Sequence, residues 1–374
     1  ALGMSYAGKR SMACMKHVGL NVAADAFVNA AITGVNGGLV VVVADDPSMH
    51  SSQNEQDSRF YGDFTMIPIL EPANQQEAYD MVYQAFDISE KYKVPVLLRI
   101  TTRLSHSRAG IKRKTKKKQK PLVLPDNKLQ FVLLPSNARK QYKSLLHAQA
   151  EFLSDAEKSV YNVYSEGKDK SLGIIACGIT NNYLNENFTN TEIPYSLLKI
   201  GHYPAPESMI KKLYNQCDRL LVLEEGYPFI EYQLTGILGS NKKISGRLDG
   251  SLPRDGELNP LLVAKALDLP VVKTYQVPSI MVNRPPALCK GCGHVDLYLA
   301  LNEALGDLEK GRVFSDIGCY TLGALPPFES ISSCVDMGAS ITMAKGAADA
   351  GLNPSVCVIG DSTFTHSGMT GLLD

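Results

Sequence analysis

No sign of charge dominates this 374-residue chain: lysine plus arginine and aspartate plus glutamate both number 38. A global field that would draw it to nucleic acid or to an anionic membrane surface is therefore missing. No apolar run approaches the roughly 18 residues of a transmembrane helix. No charged-then-apolar signal peptide opens the chain. Eight cysteines lack the density of a disulfide scaffold at this length. A reducing interior is therefore expected, with the cytoplasm as default location, and clustered thiols invite a metal reading. What is present is 44% hydrophobic and 20% charged residues. That is an ordinary globular composition, with material for about two to three domains.

The pattern along the chain alternates strand and helix. In the first segment, 1–111, a helix leads to the strand Leu39–Ala44, the polar loop Asp45–Asp57, a helix Gln75–Tyr92 and a strand Pro95–Ile100. Lys112–Lys120 is a basic run without interleaved aromatics, expected as a solvated linker, and Ser136–Glu166 as a connecting helix, so 112–170 joins two α/β units. Three apolar runs, Leu172–Gly178, Tyr195–Ile200 and Arg219–Glu225, mark a second unit over 171–272, expected to act as scaffold. A third, 273–374, holds a helix Val295–Leu305, a strand-turn Arg312–Gly323, a small-residue helix Val335–Gly346 and a last strand Val356–Ile359. Such alternation predicts an α/β fold of parallel sheets covered by helices. The chain opens Ala1-Leu2-Gly3 without an initiator Met and stops at Leu372-Leu373-Asp374 inside a helix, so it is expected to be an internal piece of a longer protein.

Three constellations carry chemistry. Gly360-Asp361 follows a buried strand and precedes a helix from Thr363, the position where open α/β sheets bind ligands and where an acid can hold a metal that holds a diphosphate. Cys289-x-x-Cys292 recurs with Cys319 twenty-seven residues later and Cys334 fifteen beyond that. Zinc on Cys289, Cys292, Cys319 and either Cys334 or His294, a [4Fe–4S] cluster on the first three, and small buried thiols all suit this spacing. Asp45–Asp57 is dense in polar residues, His50 among them, and suits a ligand-lining loop as well as a capped surface loop. His17 and Asn21 are four apart and share a face if a helix forms there.

Lys16–Asp25, Thr33–Gly38, Ala44–Asp57, Leu133–Arg139, Arg284–His294, Asp316–Gly323 and Gly360–His366 resemble, in order and from end to end, the large (alpha) subunit of the indolepyruvate:ferredoxin oxidoreductase family. This resemblance implies a thiamine-diphosphate enzyme of the 2-oxoacid:ferredoxin oxidoreductase superfamily. Its 1–111 is then part of a pyrimidine-binding domain, 171–272 a transketolase C-terminal-like domain, and 273–374 part of a diphosphate-binding domain. The implied reaction converts an aryl pyruvate and coenzyme A to an aryl acetyl-CoA, carbon dioxide and reduced ferredoxin, with a smaller beta subunit as partner. A non-redox thiamine decarboxylase of aryl pyruvates and a catalytically inactive piece are the competing readings.

By the same resemblance Asp361 holds Mg²⁺. Asp316, Gly318, Cys319, Tyr320, Met337, Gly338, Gly360, Ser362, Thr363 and His366 line the diphosphate. His17, Asn21 and His50 face the reactive end, and Cys289, Cys292 and Cys319 match ligands of a [4Fe–4S] cluster. Ser362 stands where the thiamine fold usually has a second Gly, and Gly293 where this family usually has Pro. The family's proton-relaying glutamate, second Mg²⁺ ligand and ferredoxin-like cysteines are expected outside this chain.

Overall fold

The computed structural model describes residues 1–118, 120–127, 129–237, 243–270, 278–282, 286–306, 308, 312–334 and 337–373. Arg284 and Pro285 of the cysteine motif, Val335 and Asp336, Asp374, and the boundary expected at 272/273 lie outside these. The chain forms two compact units, 1–273 and 274–374.

The first unit contains β1 (Ser11–Lys16), β2 (Leu39–Asp45), β3 (Ile69–Leu70), β4 (Val96–Thr101) and β5 (Val163–Ser165). It continues with β6 (Asp169–Cys177), β7 (Tyr195–Ile200), β8 (His202–Tyr203), β9 (Leu220–Leu223) and β10 (Ile244–Ser245). One sheet has the order β1-β2-β4-β3-β8 and another β10-β9-β6-β7-β5. Both are parallel except at an edge, where β8 runs antiparallel to β3 and β5 antiparallel to β7. The continuous apolar strands Leu39–Val43 and Leu220–Leu223 are what a sheet covered on both faces demands.

The helix Gln75–Tyr92 forms where its spacing predicts. The side chain of Asn74 accepts from the Glu77 N–H and so begins it. Its Met81, Ala85 and Ile88 are buried with Val40, Leu70 and Leu98 of the first sheet. The helix Pro135–Glu157 ends earlier than the expected Glu166, because Val163–Ser165 leaves to pair with β7.

The segments 1–111 and 171–272 are not separate bodies. Strand β8 lies within the second segment yet closes the edge of the first sheet, with Ile69 opposite Tyr203. A shared core joins Leu39, Val41 and Leu97 to Ile175, Leu198 and Val222. The basic run is also not a free linker. Lys114, Lys117 and Lys120 pair with Asp80, Asp87 and Glu90 along the helix Gln75–Tyr92, and hydrogen bonds link Gln76 to the backbone of Lys112 in both directions.

The second unit is built on β11 (Val313–Ser315), β12 (Ser333–Cys334) and β13 (Val356–Val358), ordered β12-β11-β13 and parallel throughout. Helices Gly293–Leu305 and Ala339–Asp349 accompany it. Its core is small: Tyr298, Val313, Tyr320, Ile331 and Val358.

Candidate cofactor site

In the second unit the site loops all leave carboxyl ends of parallel strands: Asp316–Cys319 after β11, Met337–Gly338 after β12, and Gly360–Asp361 after β13. This is where an open α/β sheet presents its ligands. Hydrogen bonds tie the loops together. Thr363 Oγ1 donates to the Ile317 carbonyl at 3.4 Å, and Ser367 Oγ to the Met337 carbonyl at 2.7 Å.

Asp361, Ser362, Cys319 and His366 are exposed. One Asp361 oxygen accepts the Ser362 N–H at 2.8 Å. Among the described residues no lysine or arginine pairs with this carboxylate, so its remaining lone pairs are open to a cation. Mg²⁺ is held through only one or two carboxylates when phosphates and water complete its shell, and Asp361 fits that part. His366 Nδ1 lies 3.1 Å from Ser367 Oγ.

Other expected liners turn out to be structural. Asp316 is fully buried: one oxygen accepts the Gly338 N–H at 2.8 Å and the Ser340 N–H at 2.9 Å, and the other accepts the Ser340 hydroxyl. It therefore fixes the start of the helix Ala339–Asp349 instead of facing a ligand. The Tyr320 ring is buried, and its hydroxyl lies 3.3 Å from both the Ile317 carbonyl and Thr363 Oγ1. Desolvation raises its pKa. The ring fills the space that side chains at Gly318 and Gly360 would need; a Cβ at Gly360 would stand 2.7 Å from Tyr320 Cε1. Gly338, at φ +100°, has Ser367 Oγ 2.8 Å from where its Cβ would be. These glycines accommodate packing of the loops on one another, where direct approach to a diphosphate was expected.

Of the motif cysteines, Cys289 and Cys319 are exposed and Cys292 is half-buried. His294 Nδ1 sits 3.2 Å from Cys292 Sγ and 3.9 Å from Cys319 Sγ, so an imidazole lies between these thiols. Cys334 Sγ instead faces Thr321 Oγ1 and the Asp316 carbonyl. Among the described residues no group of three or more His, Cys, Asp or Glu is placed to hold a metal ion. A [4Fe–4S] cluster on Cys289, Cys292 and Cys319 would need a fourth ligand from outside these three residues.

In the first unit, His17, the loop Asp46–Asp57 and Thr102 follow the carboxyl ends of β1, β2 and β4. A helix His17–Val22 does form, placing His17 and Asn21 one turn apart. His17 is buried, with Nε2 at 3.2 Å from the Asn54 carbonyl and Nδ1 without a hydrogen-bond partner. Asn21 accepts from the Tyr61 hydroxyl at 2.8 Å. His50 is half exposed and lies 3.5 Å from Glu257. Among the described residues no hydrogen bond or ion pair joins His17, Asn21 and His50 to one another. The loop is instead centred on Asp46, which accepts from the His50 and Ser51 N–H groups and from the Ser52 and Thr102 hydroxyls, with Lys16 at 3.6 Å. Those bonds and Lys16 hold its carboxyl well below the usual range against the opposing effect of burial.

Sequence reasoning missed a buried ionic network behind this loop. Arg99 Nε lies 2.6 Å from Asp45, Arg99 Nη1 pairs with Glu71, and Arg59 pairs with Asp57 and, at 3.0 Å, with Glu224. Both guanidinium groups donate to the Glu225 carbonyl, at 3.0 Å from Arg59 and 2.9 Å from Arg99. Tyr203 donates to Glu71, and Arg247 Nη2 lies 3.6 Å from Glu225. All these charged side chains are buried. Burial pushes Glu224 and Glu225 up to about 7 each, against the pull of the neighbouring guanidinium groups. One signal was readable: Arg99, Asp45 and Glu224-Glu225 lie in or end otherwise apolar runs.

Residues 1–147 match the family model for pyruvate flavodoxin/ferredoxin oxidoreductase, thiamine diphosphate-binding. Over its whole length the chain is 38% identical to indolepyruvate oxidoreductase subunit IorA of Methanothermobacter thermautotrophicus and spans 63% of that protein. It is 38% identical to IorA of Archaeoglobus fulgidus over its whole length, spanning 62% of that protein. A solved 2-oxoglutarate:ferredoxin oxidoreductase from Magnetococcus marinus, with 2-oxoglutarate, coenzyme A and succinyl-CoA bound, matches with a TM-score of 0.53 at 16% identity, over 71% of this chain and 54% of that one. That likeness shows an α/β fold in common. None of the helices among the described residues is long and apolar enough to cross a membrane. Over its full length the chain is thus similar to the indolepyruvate oxidoreductase subunits IorA, of which it spans just under two thirds, and its first 147 residues match a thiamine-diphosphate-binding domain family.

Proposed function

We propose that this chain is the main part of the large subunit of an indolepyruvate:ferredoxin oxidoreductase. With a smaller beta subunit it would convert an aryl pyruvate and coenzyme A to aryl acetyl-CoA, carbon dioxide and reduced ferredoxin, in the cytoplasm. The observation that carries the reading is the 38% identity to IorA across the whole chain. Thiamine diphosphate, when bound, supplies a carbon nucleophile and an electron sink.

The chain's own residues have positioning roles. Asp361 would hold Mg²⁺ at the carboxyl end of β13, and Ser362, Thr363 and His366 stand beside it. Asp316 holds the Gly338 turn against that end of the sheet through three hydrogen bonds. In the first unit, Asp46 and Lys16 shape the loop over His17, whose buried Nδ1 has no hydrogen-bond partner.

The test is full-length protein purified with its partner subunit without oxygen, assayed for coenzyme A-dependent viologen reduction with indolepyruvate. Carbon dioxide release independent of coenzyme A, without viologen reduction, would replace this reading by a non-redox decarboxylase. Asp361→Ala should abolish Mg²⁺-dependent thiamine diphosphate binding in calorimetry; normal affinity would remove Asp361 from the metal site.

A further inference from the structure

The basic strap over the helix Gln75–Tyr92 borders an open cavity. Its floor is Val82, Tyr83 and Phe86, all half-buried on the helix, and its rim is Arg10, Lys116, Lys117 and Lys118. The volume is about 360 Å³, within the span of small-molecule sites of roughly 300–1,000 Å³.

The rim cations are not equivalent. Arg10 holds Glu90 with Nε at 2.7 Å and Nη2 at 3.0 Å, and its Nη1 donates to the Lys118 carbonyl at 3.2 Å. Lys117 is taken by Asp87. Lys116 and Lys118 are exposed, and among the described residues no acid pairs with either. Two residues apart on the strap, both line the same cavity. The anchoring pairs at Lys114, Lys117 and Lys120 hold that segment in register along the helix. Lys114 and Lys117 also stand 5.6 and 5.9 Å from the centre of the Tyr83 ring, which steadies one wall.

An apolar floor with aromatic rings beside two unpaired ammonium groups selects a ligand with a flat apolar body and more than one negative charge. A monocarboxylate would leave one ammonium unmatched. A nucleic-acid surface needs several stacking platforms in succession along a groove, and here one slot exists beneath a strap three of whose lysines, Lys114, Lys117 and Lys120, are already paired with acids. We propose that this slot is a binding site for a nucleoside di- or triphosphate, with the base on Val82 and Phe86 and the phosphates on Lys116 and Lys118.

The experiment is titration calorimetry on the full-length protein saturated with thiamine diphosphate and Mg²⁺, so that the diphosphate site is filled. ADP, adenosine, pyrophosphate and a ten-nucleotide oligothymidine are the probes. ADP should bind more tightly than either of its halves, and Lys116→Ala/Lys118→Ala should weaken it about tenfold or more through the two lost charge-assisted bonds. The Arg pair at the same positions should restore it. Pyrophosphate binding as well as ADP would leave the floor without a role and overturn the proposal. So would absence of ADP binding, ADP binding that survives the double alanine change, or an oligothymidine that binds more tightly than ADP.

Discussion

Replacing Asp316 separates hydrogen bonding from charge in the second unit. Its carboxylate accepts the N–H groups of Gly338 and Ser340 on one oxygen and the Ser340 hydroxyl on the other. Asp316→Ala leaves both N–H groups buried without acceptors, and each orphaned donor costs about 1–3 kcal/mol. A loss of about 3–5 kcal/mol follows. Asp316→Asn keeps the oxygen that serves both N–H groups. Its amide then donates to Ser340 Oγ, which rotates to accept, so the cost should be about 1 kcal/mol. For a unit of about 100 residues each kcal/mol moves the melting temperature by about 4–8 °C. Scanning calorimetry of the full-length protein should therefore show the transition of this unit falling by about 5 °C for Asn and by about 12 °C or more for Ala. An Asn variant as unstable as the Ala variant would refute the hydrogen-bond account and assign the role to the negative charge itself.

Gly360→Ala should cost about 1–3 kcal/mol by pressing a methyl group onto Tyr320, and much of that cost should vanish with Tyr320→Leu as background; urea midpoints measure both. Arg99→Met leaves Asp45 and Glu71 buried without their guanidinium and should lose about 3–5 kcal/mol, whereas wild-type stability would mean the network is dispensable. Glu224 and Glu225 have pKa values raised to about 7 from the 4.5 of an exposed glutamate, so each adds stability that is complete below 4.5 and lost as pH rises through about 7. Buried His202, held down at about 4 against an ordinary 6.5, acts oppositely: its contribution is present above 6.5 and lost as pH falls through 4. Between pH 6.5 and 8 urea denaturation should show about 1 kcal/mol lost per glutamate, offset by about 0.4 kcal/mol as the unfolded His202 imidazole deprotonates, and the Glu225 share should be absent in Glu225→Gln.

Local pattern carried much of the fold. The helix Gln75–Tyr92 was legible because apolar spacing and the cap at Asn74 agree, and β2, β7 and β13 because apolar runs end at turn residues. Strand β1 was not: Ser-Met-Ala-Cys-Met-Lys has neither alternation nor β-branched residues, and it is a strand because six of its residues pair with β2. In the site, Asp361 at the end of β13 was readable from a strand followed by Gly-Asp. The roles of Asp316 and Tyr320 were not, since a buried acceptor and a lining acceptor look alike until their partners are placed. The strap escaped notice for a similar reason. Its lysines match acids on a helix well before them in the chain, and only the folded helix sets Asp80, Asp87 and Glu90 in a row.

Strand β8 has a consequence for how the chain folds. The first sheet cannot finish its edge until residues 202–203 have been made, because Ile69 and Leu70 wait for Tyr203 and His202. During synthesis, then, the first 147 residues would emerge with the polar backbone edge of β3 still open, a template for pairing with another nascent chain. A shortened version ending there should be prone to aggregate even with every residue of that sheet's parallel part present. Closure by a distant segment makes this sheet slow to complete, since long-range pairing follows loop closure.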